Sequence, residues 1–349
     1  MERQLPAGIG LSGHSRWLTA ATLAVAMFAF GFGSYHAAGY LKARKPVVQR
    51  PSQTSAPALP GVMYLAQAGA LYRLQGGSFT QMTSQSGWTQ PSISPEGSRL
   101  VVVRRQGDWS DLYLMTTTGR TIAQLTHNHS AQIESNHWAF YPRFGPDGSE
   151  LFYDYDPKDP YNSYRVDLAI FASPSDPASQ SSLRWTYPNP YTGGDVIPLP
   201  LADGGLIYTK YSIDDQSKLH SQVWVQDRAG SQGVALTDPA LDCGQAAISS
   251  DQKQIAMVCT GGQVQSAQLD VASFDEATLT LGAPEILTTG LVASPAFSPD
   301  AHSIAYLAPV VAGGPFQLWA VSTSGTPTPR ALTSTLDLDS TSAPAWTAA

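Results

Sequence analysis

The sequence is poor in charged residues and in cysteine, and it lacks the short motifs that mark several large enzyme classes. Asp, Glu, Lys and Arg make up 13% of the 349 residues, and the formal net charge is −7. An acidic chain without basic runs is poorly suited to binding phosphate backbones, so we expect no nucleic-acid partner. No P-loop occurs, no G-x-G-x-x-G stands between a strand and a helix, and the string nearest to a G-x-S-x-G elbow, at residues 10–13, has no strand before it.

The chain contains a repeated hairpin. Its clearest copy, SPAFSPDAHSIAYLA at residues 294–308, combines a short strand, a tight turn and an apolar strand. Each unit also ends in a second pair of strands, as in LYLMTTTGRTIAQLT at residues 112–126. One equivalent position recurs every 48 to 56 residues, at Pro91, Pro142, Pro198, Ala246, Pro295 and Pro344. A steady period of this size, built from four strands, is typical of β-propeller blades.

The two ends of the repeat region complement each other. Residues 346–349 supply only a first strand, whereas residues 61–83 have the pattern of strands two to four with no first strand before them. Joining these fragments completes one blade and closes a ring through backbone hydrogen bonds. The sequence therefore predicts an all-β, six-bladed propeller over residues 61–349.

The turns of the hairpins resemble the repeat of TolB-like propellers, also called PD40 or WD40-like β-propeller repeats. The resemblance rests on SPEG at residues 94–97, GPDG at residues 145–148 and SPD at residues 298–300, whereas residues 201–204 and 249–252 lack the proline. It implies a propeller outside the cytoplasmic membrane. We interpret the recurring acidic residues as turn residues, because proline, a carboxylate and glycine in succession favour a tight turn. They are Glu96, Asp147, Asp203, Asp251 and Asp300. The blade-end threonines, among them Thr83, Thr126, Thr237 and Thr333, are interpreted as structural in the same way.

The N-terminal segment predicts a membrane anchor. Residues 1–16 form a short polar tail, residues 17–41 are apolar and long enough to span a bilayer, and residues 42–60 form a basic, then Pro- and Ser-rich linker. A cleaved signal peptide and a buried helix are the alternatives. Basic residues after the apolar segment favour a cytoplasmic propeller, whereas the TolB-like resemblance favours an extracytoplasmic one. We expect a single-pass protein of the cell membrane with its propeller outside the cytoplasm.

The only two cysteines belong to one hairpin. Cys243 and Cys259 each lie eight residues from Asp251, so a hairpin that is symmetric about Asp251 places them directly opposite each other. They either form a cross-strand disulfide, which suits an oxidising compartment, or remain buried thiols. No C-x-x-C is present, and two cysteines alone make a poor zinc site.

Two long connections of one blade contain the candidate site. Residues 127–140 and 154–165 are predicted loops on the face where the variable connections of a propeller emerge. The candidate metal ligands are His127, His129 and His137. The candidate ligand-binding residues are Trp138, Asp154, Tyr155, Asp156, Asp159 and Tyr161, together with Asp214 and Asp215 from a neighbouring loop. The histidines and carboxylates either bind a divalent metal or form a polar, solvated rim, and the aromatic residues favour stacking on a sugar or an extended peptide.

Three hypotheses about function follow from these features. The first is a membrane-tethered, non-catalytic propeller that binds an envelope protein or an extracellular ligand without a cofactor. The second is a metal-dependent, polysaccharide-active enzyme whose divalent metal is held by the three histidines. The third is an extracytoplasmic sensor in which the propeller binds a ligand for a signalling partner. Firm metal retention separates the second hypothesis from the other two.

Overall fold

Six antiparallel sheets follow one another along the chain, and each is built around four strands in a row. The structure is a computed structural model that describes residues 60–158, 165–179, 181–261 and 266–348. Blade 1 contains β1 (Val62–Gln67), β2 (Ala70–Gln75) and β3 (Ser78–Gln81). Blade 2 contains β4 (Trp88–Ile93), β5 (Arg99–Arg105), β6 (Ser110–Thr116) and β7 (Thr121–Gln124). Blade 3 contains β8 (Ala139–Phe144), β9 (Glu150–Tyr155), β10 (Ala169–Pro174) and β11 (Leu183–Arg184).

Blades 4 to 6 continue the same order. Blade 4 contains β12 (Asp195–Pro200), β13 (Leu206–Ile213), β14 (Leu219–Gln226) and β15 (Val234–Ala235). Blade 5 contains β16 (Cys243–Ile248), β17 (Gln254–Cys259), β18 (Ala267–Asp275), β19 (Thr280–Leu281) and β20 (Glu285–Gly290). Blade 6 contains β21 (Ala293–Phe297), β22 (Ser303–Pro309), β23 (Phe316–Ser322) and β24 (Arg330–Ala331). Short 3₁₀ helices occur at Ile133–Ser135 and Pro239–Leu241. The predicted all-β, six-bladed propeller is confirmed.

The ring is closed by a strand from the C-terminal part of the chain. Strand β25 (Ala345–Thr347) pairs antiparallel with β1, so that Met63 lies opposite Trp346. The indole nitrogen of Trp346 also donates a hydrogen bond to the carbonyl oxygen of Pro60 at 2.9 Å. The predicted joining of the two terminal fragments into one blade is therefore confirmed.

The hydrophobic core lies between neighbouring blades. The second strands, which the sequence predicted as core, are fully buried on both faces; Leu100 and Val102 of blade 2, for example, pack against Val62 and Tyr64 of blade 1. Burying one such side chain contributes about 1.5–3 kcal/mol relative to leaving it exposed. Because each sheet is covered by two others, these strands are continuously apolar instead of alternating with polar residues.

The recurring acidic residues form turns, as predicted. The Asp147 carboxylate accepts a hydrogen bond from the backbone N–H of Ser149 at 2.9 Å, and Gly148 follows it with φ of 75°. The turns that lack glycine have Gln252 and Ala301 at this position, with positive φ of 57° and 60°. The blade-end threonines are structural as well, since Thr126 Oγ1 accepts a bond from the backbone N–H of Leu112 at 2.9 Å.

Five of the innermost strands contain a bulge at the repeated proline position. The residue before that position has a left-handed φ of 47° to 61° in each case, at Gln90, Tyr141, Ile197, Gln245 and Ser294. In four of these cases the freed N–H bonds to a side chain of the preceding blade; Ile197 N, for example, donates to Asp154 Oδ1 at 3.0 Å. Tyr141 N donates to Gln90 Oε1 at 2.8 Å, Ser294 N donates to Gln245 Oε1 at 2.7 Å, and Gln90 N donates to Ser342 Oγ at 2.9 Å. These bonds link adjacent blades around the central channel.

The predictions for the N-terminal tail, the apolar segment at residues 17–41 and nearly all of the linker concern residues outside the described part of the chain. Across residues 60–158, 165–179, 181–261 and 266–348, no helix has the length and apolar character needed to span a bilayer.

Candidate functional site

The connection that enters blade 3, residues 125–138, is held in place by buried polar residues. Asp111 accepts hydrogen bonds from Thr126 Oγ1 at 3.0 Å and from the backbone N–H of Asn128 at 2.8 Å. Asn128 Nδ2 in turn donates to the carbonyl oxygen of Ser110 at 2.7 Å. The strand begins at Ala139, so the end of the predicted loop, including Phe140, belongs to β8. Neither Asp111 nor Asn128 was singled out from the sequence, because buried loop anchors share no motif.

The three histidines of this connection have three different environments. His137 Nδ1 is 2.8 Å from the carbonyl oxygen of Asp156, and its ring stacks on Tyr155 with 5.2 Å between centroids. The ring of His129 lies against Trp109 at 4.3 Å, and His127 is exposed on the wall of a cleft. Within the described ranges, no three His, Cys, Asp or Glu side chains are grouped so as to hold a metal ion.

Two of the predicted loop carboxylates belong to the interior. Strand β9 continues through Tyr155, since Asp154 pairs with Ile170 and Tyr155 with Ala169. Asp154 is completely buried and accepts a hydrogen bond from the backbone N–H of Ile197 at 3.0 Å. The interpretation of residues 154–155 as loop was therefore wrong, because the hydrogen-bond ladder with β10 extends past the apolar run that marked the strand.

Asp156, just beyond the strand, is also buried, and it forms an ion pair with Lys158 Nζ at 2.9 Å. Asp159 and Tyr161 lie outside the described residues. Trp138 is partly exposed, stacks on Phe140 at 5.6 Å, and has the guanidinium of Arg105 at 5.8 Å from its ring. Trp138 thus remains at the surface of the loop face, whereas the carboxylates next to it are internal.

Asp214 organises the hairpin between β13 and β14 and does not project freely. It accepts bonds from the backbone N–H groups of Gln216 and Lys218, at 2.8 Å and 2.9 Å. His220 Nε2 lies 3.1 Å from Asp214 Oδ2, and its Nδ1 lies 2.8 Å from Asp242 Oδ1. Hydrogen bonds to Asp214 and then to Asp242 raise the pKa of His220 above its usual value. Asp215 is exposed at the tip of the hairpin.

A cleft of about 320 Å³ separates the outer parts of blades 2 and 3. Its aromatic wall includes Tyr155, which contacts the edge of Phe171 at 5.3 Å between centroids. Burial, followed by the nearby Tyr153 and Asp156, raises the pKa of Tyr155 to about 12, so its hydroxyl stays protonated at neutral pH. The polar part of the lining includes Ser173, Asp176, Ser179, Ser181 and Ser182.

The cleft therefore combines an aromatic surface with hydroxyl and carboxylate groups, which is suited to ligands that have both apolar faces and hydroxyls. Of the predicted site residues, His127 and Tyr155 line it. Ser173 comes from β10, and the other serines come from the connection between β10 and β11, on which the sequence shows no functional motif. Only the packing of blade 3 against blade 2 brings these segments together.

The structure joins Cys243 and Cys259 by a disulfide bond, which is one of the two alternatives left by the sequence. The two residues lie directly opposite each other at the end of the β16–β17 hairpin. The equivalent cross-strand pairs in other blades are Trp88 with Arg104, Ala139 with Tyr155, and Asp195 with Lys210. One structural position thus carries a cation–π contact, an alanine–tyrosine pair, an ion pair or a covalent bond, depending on the blade.

Comparisons with known proteins identify the fold. No protein-family model matches the sequence, and no curated protein is detectably similar to it. Among solved structures, TolB from Acinetobacter baumannii is similar with a TM-score of 0.59 at 19% identity, over 82% of this chain and 66% of that one. A TolB-type protein from Agrobacterium tumefaciens has a TM-score of 0.55 at 13% identity, over 82% and 93%. Hydrazine synthase from Kuenenia stuttgartiensis has a TM-score of 0.61 at 12% identity, over 84% of this chain and 47% of that one.

At these low identities the structural similarity shows a shared fold, which is that of TolB-like six-bladed propellers. This chain spans just under two thirds of the Acinetobacter protein and about half of the hydrazine synthase chain. The fold agrees with the resemblance of the turn sequences. Because propellers host many unrelated activities, function has to be argued from the residues of this chain.

Proposed function

We propose that the protein is a membrane-tethered, non-catalytic propeller of the cell envelope that binds a ligand or a partner protein at the cleft between blades 2 and 3. The cleft carries this proposal, because it is a concave site with an aromatic wall and several hydroxyl groups. Its loop is held by internal hydrogen bonds, so the binding surface is organised before the ligand arrives.

One observation supports an extracytoplasmic location, and another supports the membrane tether. A disulfide persists in oxidising compartments and is rare in the cytosol. The apolar residues 17–41 have the length of a membrane span, and the linker after them is long enough to hold the propeller away from the bilayer.

The binding proposal is tested by filling the cleft. We expect Ser173→Phe to occupy it and Tyr155→Ala to remove its aromatic wall, whereas Ser78→Phe adds the same bulk to an exposed strand of blade 1. Binding of soluble cell-wall oligosaccharides and of cross-linked envelope proteins is measured for each variant. Wild type and Ser78→Phe should bind alike, and the two cleft variants should bind at least about tenfold more weakly. Equal binding by all four proteins would exclude the cleft.

The tether is tested separately. Full-length protein should stay in the membrane pellet after carbonate extraction, and a chain that lacks residues 1–50 should not. Protease added to intact spheroplasts should digest the propeller if it lies outside the cytoplasm. Protection of the propeller in this assay would place it on the cytoplasmic side, as the basic residues after the apolar segment favour.

A further inference from the structure

The central channel contains a group of hydrogen-bond donors that the cleft does not use. Tyr141 and Arg143 lie on β8, the innermost strand of blade 3, and Tyr211 lies on β13 of blade 4. All three side chains are partly exposed, although they sit deep in the protein. Among the described residues, neither tyrosine hydroxyl forms a hydrogen bond, and Arg143 forms no hydrogen bond and no ion pair within 4 Å. The Nε atom of Arg143 is buried without a partner.

Asp154 is the common neighbour of these three residues. Asp154 lies opposite Phe140 in the β8–β9 pair, next to Tyr141, and its charge acts on Tyr141, Arg143 and Tyr211. Asp154 itself is inaccessible, and both of its oxygens face the backbone N–H of Ile197, at 3.0 Å and 3.2 Å. Burial raises the pKa of Asp154 well above its usual value, which weakens its ability to neutralise the arginine.

The other charges nearby do not pair with Arg143: Asp339 and Arg105 act on Tyr141, and Asp154 is the charge that acts on Arg143. Lys210 is itself a cation, and its Nζ lies 3.0 Å from Asp195 Oδ1, so this lysine and this carboxylate neutralise each other. Burial lowers the pKa of Arg143, and Asp154 only partly opposes this effect. A partly buried cation without a paired anion is costly, and an anion bound from solution would remove that cost.

The accessible groups also define the chemistry of the ligand. Burial, and next the charge of Asp154, raises the pKa of both Tyr141 and Tyr211, so their hydroxyls remain protonated and able to donate. The guanidinium and the two phenol hydroxyls belong to partly exposed side chains, whereas Asp154 and Asp195 are completely buried. The planar guanidinium matches the two oxygens of a carboxylate.

We propose that the central channel, between blades 3 and 4, binds a carboxylate group presented from the loop face, with Arg143 as its ion-pair partner and Tyr141 and Tyr211 as hydrogen-bond donors. Such a carboxylate belongs either to a small organic acid or to the C-terminus of a peptide. This site is distinct from the cleft between blades 2 and 3, and it does not depend on the function proposed for that cleft.

The experiment uses the full chain in a neutral detergent and isothermal titration calorimetry. The probes are succinate, the tripeptide N-acetyl-Ala-Ala-Ala with a free C-terminus, and the same tripeptide with an amidated C-terminus. We expect saturable binding of at least one acid and none of the amide. Tighter binding of succinate would indicate a small acid as the ligand, and tighter binding of the peptide acid would indicate a chain terminus.

The variants test the residues. Arg143→Met should weaken binding of the acid about 10- to 100-fold, and Tyr211→Phe, which removes one oxygen atom, roughly 2- to 10-fold. The matched controls are Arg104→Met, in blade 2 against Trp88, and Tyr187→Phe on the exposed surface; both should bind as wild type does. Melting temperatures show which variants are folded.

Three results would overturn the proposal. They are the absence of saturable binding for both acids, equal affinity for acid and amide, and unchanged affinity in a folded Arg143→Met variant. If Arg143→Met does not fold, Tyr211→Phe provides the test. Unchanged affinity for the acid in that variant would show that Tyr211 does not donate to the ligand, and the site as proposed would be wrong.

Discussion

Removal of the disulfide should destabilise the propeller by an amount that its sequence separation defines. Cys243 and Cys259 are 16 residues apart. In the chain-entropy account, a cross-link that closes a loop of this size stabilises the folded state by about 3 kcal/mol. We therefore expect the double variant Cys243→Ala, Cys259→Ala to unfold with a free energy about 3 kcal/mol lower than wild type.

The position of the disulfide indicates that its removal should lower the free energy of unfolding without preventing the blade from folding. The same cross-strand position in blade 2 is occupied by Trp88 and Arg104, which pack without a covalent bond, so a blade of this propeller does not need one to form. For a protein of this size, 3 kcal/mol corresponds to a fall in melting temperature of about 5 to 10 °C. The fold should survive, and the far-ultraviolet circular dichroism spectrum should be unchanged.

The assay is denaturant unfolding, followed by tryptophan fluorescence, with and without reductant. Reductant should shift wild type toward the double variant and should leave the double variant unchanged. Each single alanine variant already breaks the bond, so both should resemble the double variant. Two single variants whose effects add, or a wild type that is insensitive to reductant under conditions that expose the bond, would refute the reasoning.

Three further predictions concern charge and backbone conformation. Burial raises the pKa of Asp270 to about 6 from 3.8, so its ionisation should cost stability as the pH rises through 6. The free energy of unfolding of Asp270→Asn should exceed that of wild type by about 1 to 3 kcal/mol at pH 8 and by almost nothing at pH 4. A gain that is equal at both pH values would exclude this cause. Hydrogen bonds to Asp214 and a second carboxylate raise the pKa of His220. The stabilisation by protonated His220 should therefore be complete below pH 6 and lost as the pH rises through the raised pKa. His220→Gln should abolish this pH dependence and lower the free energy of unfolding by less than about 1 kcal/mol. Gly194 has φ of 113°, and a Cβ there would lie 2.2 Å from a backbone carbonyl oxygen of blade 3. A Cβ at Gly193 would meet nothing within 4 Å, so Gly194→Ala should lower the melting temperature far more than Gly193→Ala. Similar melting temperatures of the two variants would contradict this.

The cysteine pairing shows how a sequence argument succeeds with an incomplete geometry. The prediction assumed a turn that is symmetric about Asp251. In the structure Ile248 pairs with Ile255, which centres the turn between residues 251 and 252, and the bulge at Gln245 then shifts the register by one residue. The two departures cancel at the cysteines. A bulge of this kind is hard to predict, because it depends on a left-handed backbone conformation at a residue that does not require one.

Asp154 illustrates the opposite outcome. The carboxylate suggested a solvent-exposed loop, since the apolar run of the strand ends at Tyr153. The ladder with β10 continues for two more residues, and blade 4 covers the side chain and supplies the N–H of Ile197 as its partner. Burial of a polar residue is decided by its neighbours in space, which the local pattern does not contain.

The turns, most of the strands, the number of blades and the closing of the ring were predicted from the sequence alone. Each of these features depends on a short segment, and the repetition of the segment made a weak signal strong. Only the tertiary structure decided which side chains meet. Tyr141 and Arg143 come from blade 3 and Tyr211 from blade 4, and the packing of these adjacent sheets brings all three within reach of the charge of Asp154. Contacts between blades join residues far apart in the chain, so no pattern within one repeat specifies them.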